Sequence, residues 1–303
     1  MPQQPGKEQK NKLPTIRIIR PSSREKDSSL IGKIDTLASF GFPIKFDNLT
    51  KDGGQDWEAN SLTTRVHELN QAFLEPDSDI VFCARGGYGA SDLLPLIAWE
   101  KLKGSKEKPI IGFSDISAIL SGCYTKLGWN GIHGPMPITD LWNTNGSSDV
   151  HMLFEYLTKK QNSFKIPINP FQSNRIDHIE GWMFGGCFSV LTNLIATPYF
   201  PTSLAGAILF FEDVSEAPAR ILRYLNQWIQ CGCLSQVKGI ILGRFFDNDE
   251  AGEQNQIILH KEFLQRTNLP IFTSNAFGHV SPNLPIRIGA QASVESEWLI
   301  WHS

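Results

Sequence analysis

The sequence has no long apolar run and no excess of charge of either sign. None of its 303 residues lie in a stretch approaching the ~18 apolar residues of a membrane span, and the amino terminus lacks the apolar core of a secretory signal. Charged residues make up 19%, and the formal net charge is −3. Without a basic stripe, nothing predicts binding to nucleic acid or to an anionic membrane. We expect the protein to stay in the compartment where it is made.

Cysteines are few, and their spacing is not that of a disulfide framework. Their number is odd, they are scattered, and a chain of this length can be stable without cross-links. Reduced thiols are therefore predicted at Cys83, Cys123, Cys187, Cys231 and Cys233. The last two could offer metal ligands, but no second Cys or His pair lies at ligand spacing. We expect no metal and no other cofactor.

Apolar residues make up 41% of the sequence, which is enough for two hydrophobic cores. They are arranged as short predicted strands that alternate with amphipathic helices. This pattern predicts an α/β fold whose N-terminal part is a doubly wound parallel sheet of the Rossmann or flavodoxin type. Polar residues crowd the middle of the chain, where periodic patterning weakens. We predict a flexible tail over 1–13, an N-terminal domain over 14–150, a linker over 151–178 and a C-terminal α/β domain over 179–303.

Two consecutive predicted strands end in loops suited to chemistry. The strand DIVFCA leads into the glycine loop RGGYGA and then a helix that Ser91 can cap, and the strand KPIIGF leads through Ser114 into another helix. Because sites in open parallel sheets lie outside the carboxyl ends of the strands, both loops are expected at one functional edge.

Ser114 allows two interpretations. A serine at a sharp strand-to-helix turn exposes its hydroxyl beside N–H groups at the positive end of a helix, which suits a nucleophile with an oxyanion site. Serine is also a preferred helix cap, and the second glycine of G-x-S-x-G is absent. The pair Gly86-Gly87 could likewise cradle an anion or simply form a tight turn, and it lacks nucleotide-binding spacing.

Acid and base candidates come from later strands. Glu212 and Asp213 end the apolar strand AILFFED, where an acid must meet a partner or lie at a site, and Glu212 is taken as the better catalytic candidate. Glu216, four residues before Arg220, is expected to form an ordinary surface pair. His279 follows a strand in a loop, which suits a general base, and His133 in GIHGPM is the competing candidate.

The combination is more specific than any single motif. Ser114, Glu212 and His279 occur in this order within RGGYG, IIGFSD, GGCFS, LFFEDVSEAPARILR, GIILGRF and FGHVSPNLPIRIGA. This set closely resembles the LD-carboxypeptidase family, the muramoyltetrapeptide carboxypeptidases of cell-wall recycling, and the resemblance runs from about Ile16 to Ala292.

The resemblance implies a Ser114-Glu212-His279 triad at the interface of two domains. It also implies a cytoplasmic, metal-free homodimer that removes the terminal D-alanine from murein tetrapeptides. The oxyanion donors would be the N–H of Asp115 and one N–H of Gly86-Gly87. Two alternatives remain, a hydrolase of peptidyl nucleotides as in microcin C immunity and a non-catalytic muropeptide-binding protein.

The sequence departs from the family pattern at two positions. Cys187 stands where asparagine commonly follows Gly-Gly, and Ala196 stands where glycine usually precedes Thr-Pro. Both are expected near the substrate side of the cleft.

Overall fold

The computed structural model describes most of the chain. The described residues are 13–24, 30–47, 52–139, 142, 148–158, 163–171, 178–247 and 249–302. The predicted tail over 1–13 therefore lies outside them except for Leu13.

Strands and helices alternate through both halves of the chain. In the described residues the strands are β1 Ile16–Ile19, β2 Ile44–Lys45, β3 Ile80–Cys83, β4 Ile110–Gly112, β5 Ile132–His133, β6 Ser163–Pro167, β7 Asn169–Pro170, β8 His178–Cys187, β9 Ala207–Glu212, β10 Gly239–Leu242, β11 Ile271–Thr273, β12 Ile286–Arg287, β13 Gln291–Glu295 and β14 Trp298–His302. The helices are α1 Leu30–Ser39, α2 Leu62–Leu74, α3 Ala90–Leu93, α4 Trp99–Leu102, α5 Ser117–Leu127, α6 Ser148–Leu157, α7 Phe188–Leu194, α8 Pro218–Gln230 and α9 Glu250–Thr267, with 3₁₀ turns at Leu94–Leu96 and Ser114–Ile116.

The first sheet has the order β2-β1-β3-β4-β5-β12. Its first five strands are parallel, and their order 2-1-3-4-5 is that of flavodoxin-like folds, so the predicted doubly wound sheet is confirmed. The sixth strand, β12, comes from the C-terminal half and pairs antiparallel with β5. A two-residue strand that pairs with a partner about 150 residues away leaves no periodic signal in the sequence.

The second sheet has the order β6-β14-β13-β8-β9-β10-β11-β7. Strands β8 to β11 are parallel, and the remaining pairs are antiparallel. A mixed α/β architecture with two sheets is thus observed, as predicted. The predicted linker over 151–178 contains most of α6 and the two edge strands β6 and β7, and its residues 159–162 and 172–177 lie outside the described part. The proposed boundaries at 150 and 178 remain predictions.

Helix α5 joins the two halves. Its first seven residues, Ser117 to Cys123, are buried, and the helix packs against α7 and β8 of the second half. The Ser117 hydroxyl accepts a 3.0 Å hydrogen bond from the N–H of Cys187, and the Ser121 hydroxyl donates one of 2.8 Å to the Tyr199 carbonyl. One apolar cluster therefore runs through both sheets, and the helix that follows the Ser114 turn lies inside it.

Two local predictions were wrong. The expected helix from Ser91 is instead α3, a 3₁₀ turn and α4, because Pro95 has no N–H to continue an α-helix, and Gly89 rather than Ser91 precedes the first helical residue. The sequence also predicts a turn at Gly185-Gly186 that opens the following apolar helix, but both residues are part of β8. A Cβ on Gly185 would lie 1.8 Å from the Phe210 carbonyl, so glycine is required there by the approach of β9.

The backbone at Ala196 accounts for the glycine that the family usually has at this position. This residue follows α7 with φ 67°, a left-handed conformation that costs an L-residue energy and glycine almost none. We expect Ala196→Gly to raise the free energy of unfolding by about 0.5–1 kcal/mol, measured by urea denaturation.

The matched control is Ala38→Gly in the helix α1. There glycine removes helix propensity and relieves no strain, so stability should fall by about 0.5–1 kcal/mol. A loss of stability in Ala196→Gly as well would contradict a strained backbone at residue 196.

Candidate active site

Ser114 lies at the carboxyl end of β4, in the sharp turn before α5. Its φ is 60°, which is unusual for a residue with a side chain. Non-glycine residues in this conformation are held by their surroundings and concentrate at functional sites. Phe113 and Ile116 occupy the cap positions of the turn and helix without side-chain capping bonds. The suggestion that Ser114 also caps its helix was therefore wrong.

The glycine loop after β3 lies directly against this turn. A Cβ on Gly86 would be 2.9 Å from the Ser114 Cβ and 3.1 Å from its Oγ, so only glycine allows this approach. Gly87 has φ 119°, and a Cβ there would be 2.2 Å from the Ser23 hydroxyl in the loop after β1. The structure thus brings Gly86 beside Ser114, as expected from adjacent strand ends, while Gly87 lies against Ser23.

Asp115 fastens these loops together through its side chain. Its buried carboxylate accepts hydrogen bonds from the Ser22 hydroxyl and, at 2.8 Å, from the N–H of Ala90. Burial raises the pKa of Asp115, although both hydrogen bonds favour its charged form. The loops after β1, β3 and β4 therefore meet at the Asp115 carboxylate. The role as oxyanion donor that was predicted for Asp115 belongs to its backbone N–H and stays a prediction.

Glu212 and His279 are in direct contact. Glu212 ends β9 and is fully buried, and its Oε2 lies 2.6 Å from Nδ1 of His279. Burial alone would raise the pKa of Glu212, but the charge and hydrogen bond of His279 outweigh it, and the pKa lies below its usual value. Burial alone would lower the pKa of His279, but Glu212 raises it above its usual value. The pair favours an oriented, charge-stabilised imidazole.

The loop that carries His279 is fastened on both sides. The side-chain oxygen of Asn283 accepts a 3.3 Å hydrogen bond from the N–H of Gly278, and the Arg244 guanidinium donates to the carbonyls of Val280 and, at 2.7 Å, Pro282. These contacts fix the position of His279 relative to β10.

The imidazole meets the serine turn from the other half of the molecule. The rings of His279 and Phe113 have centroids 4.9 Å apart, and Phe113 immediately precedes Ser114. Nε2 of His279 is buried and has no hydrogen-bond partner among the described residues. The site therefore combines a strained serine, a carboxylate-bound imidazole with one unused nitrogen, and a close glycine loop.

Comparison with known protein families agrees with this arrangement. Residues 16–134 match the model of the LD-carboxypeptidase N-terminal domain, and residues 180–294 match that of the C-terminal domain. The chain belongs to the LD-carboxypeptidase family. The resemblance stated from the motifs is thereby confirmed, and carboxypeptidase activity in general is supported.

Relatives and a solved structure that are similar to this chain each cover 80% or more of it. The murein tetrapeptide carboxypeptidase of Pseudomonas aeruginosa is 30% identical over 256 residues, 80% of this chain and 81% of its own. The crystal structure of a muramoyltetrapeptide carboxypeptidase from Oxalobacter formigenes is similar with a TM-score of 0.82 and 26% identity, covering 95% of this chain and 99% of that one. The microcin C7 self-immunity protein of Escherichia coli is 25% identical over 292 residues, 86% of this chain and 84% of its own.

The competing candidates from the sequence do not form the contact that Glu212 and His279 make. His133 is fully buried, and burial lowers its pKa to about 4. It has no hydrogen-bonded carboxylate among the described residues, in contrast to His279. Glu216 pairs with Arg220 at 3.3 Å, the ordinary i,i+4 contact that was expected.

Sequence reasoning missed the role of Asp213. Its carboxylate accepts hydrogen bonds from the N–H of Ser189 at 2.8 Å and from the Ser189 hydroxyl at 3.2 Å, and the Cys187 thiol lies 3.6 Å away. Burial, followed by the neighbouring Glu212 charge, raises the pKa of Asp213 to about 6. Cys187 thus lies at the end of β8, immediately before α7 and beside the site. The signal in the sequence was the pair of adjacent acids, Glu212 and Asp213, that follows an apolar run.

No group of three or more His, Cys, Asp or Glu side chains among the described residues could hold a metal ion. Nor is any described helix both long and apolar enough to cross a membrane.

The close approach of Gly86 leads to a prediction. Gly86→Ala would place a methyl group against Ser114, so the serine turn must shift. We expect kcat to fall about 10²-fold, since displacements of about 1 Å in a site have effects of this size. Steady-state kinetics of peptide hydrolysis measure the change.

Gly32→Ala is the control, because a Cβ on Gly32 in α1 meets nothing within 4 Å. That variant should keep wild-type kcat. If Gly86→Ala also keeps it, the loop does not constrain Ser114.

Proposed function

We propose that this protein is a serine-type LD-carboxypeptidase that removes the C-terminal D-alanine from murein tetrapeptides in peptidoglycan recycling. The observation that carries the proposal is the contact between the buried Glu212 and His279, opposite the strained turn at Ser114. The names of the Pseudomonas and Oxalobacter relatives support the substrate class.

The chemistry begins with Ser114. His279 Nε2 takes the proton of the Ser114 hydroxyl as Oγ attacks the carbonyl that precedes the D-residue. Glu212 holds the imidazole through Nδ1, which leaves Nε2 facing the reaction, and stabilises the imidazolium that forms. His279 then protonates the leaving amine of D-alanine. Water attacks the acyl-enzyme with His279 again as base, which restores the free serine.

The negative oxygen that develops on the carbonyl needs N–H donors. We assign this role to the Asp115 N–H at the start of the helical turn and to an N–H of the Gly86-Gly87 pair. Of the two glycines, Gly86 is the one whose Cα lies against Ser114. Loss of one such donor typically reduces kcat by about 10²–10³-fold.

The decisive experiment is mass spectrometry of purified murein tetrapeptides after incubation with the protein. The expected product is the peptide without one alanine. No alanine should be released in the presence of a serine-directed phosphonate. Unchanged tetrapeptide at high enzyme concentration would overturn the proposal.

A second candidate is hydrolysis of a peptidyl nucleotide, favoured by similarity to the microcin C7 self-immunity protein. A peptidyl sulfamoyl nucleoside offered beside the tetrapeptide separates the two functions by relative kcat/KM. Tight tetrapeptide binding with no turnover of either compound would instead indicate a muropeptide-binding protein.

Two further properties belong to the proposal. We infer a homodimer that acts in the cytoplasm, since the family resemblance implies both. Light scattering and fractionation of the producing cells test them independently of activity.

A further inference from the structure

His133 lies in the strand β5 and is fully buried at the meeting point of the two halves. Its backbone pairs with Gly112 of β4 on one side and with Ile286 of β12 on the other. The first sheet therefore sets the position of the His133 ring. Gly112, its partner on β4, immediately precedes Phe113.

The ring contacts an aromatic residue from each segment that carries the active site. Its centroid lies 5.9 Å from that of Phe113, 5.5 Å from that of Phe210 and 6.3 Å from that of Phe277, each with the rings steeply inclined. Such edge-to-face pairs are favourable and directional.

Each of these aromatic residues is a close neighbour in sequence of a reacting residue. Phe113 precedes Ser114, Phe210 comes two residues before Glu212, and Phe277 comes two before His279. Since side chains two apart in a strand share a face, Phe210 and Glu212 point to the same side of β9.

We propose that His133 is a positioning residue whose ring holds the segments carrying Ser114, Glu212 and His279 at fixed separations. The inference rests on the proposed function, because it takes these three residues as the reacting site. His133 itself does not contact the substrate in this scheme.

The ring can do this only if it does not compete with His279 for Glu212. The titratable groups that act on it are Glu212 of β9 and His279, and the Asn283 side chain also acts on it. Its uncharged neighbours include Phe113 after β4, Gly186 of β8 and Ile286 of β12. Burial lowers the pKa of His133 to about 4, so the ring is neutral at pH 7. Glu212 thus keeps its hydrogen bond to His279.

The test compares His133→Ala, which removes the ring, with His133→Phe, which keeps an aromatic ring and removes the nitrogen atoms. The pKa of His279 is read from its imidazole NMR resonance in the free protein, and kcat is measured on murein tetrapeptide. We expect His133→Ala to lower kcat about 10²-fold and to move the His279 midpoint down toward 6.5, because the Glu212 contact loosens. His133→Phe should restore both values to near wild type.

His260 provides a matched control. It is another buried histidine with a pKa lowered to about 4, and it packs on Phe171 and lies 2.7 Å from the side chain of Gln256, without a ring contact to Phe113, Phe210 or Phe277 among the described residues. His260→Ala should lower the melting temperature and leave the His279 midpoint unchanged.

Two results would overturn the inference: an unchanged His279 midpoint in His133→Ala, or a His133→Phe variant as impaired as His133→Ala. If the wild-type protein releases no alanine, the proposed function fails, and the NMR midpoints still decide whether His133 positions the Glu212–His279 pair.

Discussion

Ser114→Ala should reduce the release of D-alanine by at least about 10³-fold while the fold is retained. Without the hydroxyl, no acyl-enzyme can form, and only binding and the oxyanion donors remain to accelerate hydrolysis. Single-turnover kinetics with murein tetrapeptide measure the loss. KM should change little, because the methyl group of alanine removes no substrate contact other than the reacting oxygen.

The left-handed backbone of Ser114 adds a second readout. Ser114→Gly should be as inactive as Ser114→Ala and more stable than it by about 1 kcal/mol, since glycine adopts φ 60° without strain. Stability gained with loss of activity is typical of strained active sites.

Ser121→Ala is the matched control in the same segment of chain. It removes a buried hydroxyl that donates to Tyr199, so we expect a loss of about 1 kcal/mol in stability and unchanged kcat. Substantial turnover by Ser114→Ala would exclude Ser114 as nucleophile.

Glu212→Gln should lower kcat by about 10²–10⁴-fold, because an amide cannot stabilise the imidazolium and can hold the wrong tautomer. The pH profile gives the more specific test. Activity requires neutral His279, whose pKa the Glu212 charge raises above 6.5, so wild-type activity should rise with pH through that higher value. In Glu212→Gln the acidic limb of kcat/KM should move to lower pH.

Stability should change with pH in a corresponding way. Glu212, with a lowered pKa, stabilises the fold above its usual 4.5, and this contribution is lost as pH falls through its folded value. His279, with a raised pKa, stabilises the fold below its usual 6.5, and this contribution is lost as pH rises through its folded value. Glu212→Gln should therefore destabilise the protein most between about pH 4.5 and 6.5.

Glu262→Gln serves as control, because among the described residues the Glu262 carboxylate pairs with Arg266, one turn further along α9. The pH profile and the kcat of the Glu262→Gln variant should both equal those of the wild-type protein. An unshifted acidic limb in Glu212→Gln would show that Glu212 does not set the ionisation of His279.

Much of the fold and of the candidate site follows from local patterns. Alternating strands and helices predicted the doubly wound sheet, and the acids at the end of the predicted strand AILFFED, Glu212 first among them, marked groups that need a partner. Family motifs then related Glu212 to His279 and Ser114. The helix from Ser91 was mispredicted because a helical pattern that contains a proline can be one helix or several short turns. The turn at Gly185 was mispredicted because a glycine pair before an apolar helix can form a turn or the end of a strand.

The sequence by itself determined the alternation of elements, the family and the identity of the candidate residues, since these depend on neighbouring side chains and on motif order. The family motifs implied that His279 is the histidine beside Glu212, and only the tertiary structure showed their contact, because the loop settings of His133 and His279 in the sequence are similar. The tertiary structure alone also revealed the left-handed backbone of Ser114 and the pairing of β12 with β5. Both arise from contacts between residues far apart in the chain, which no local pattern encodes.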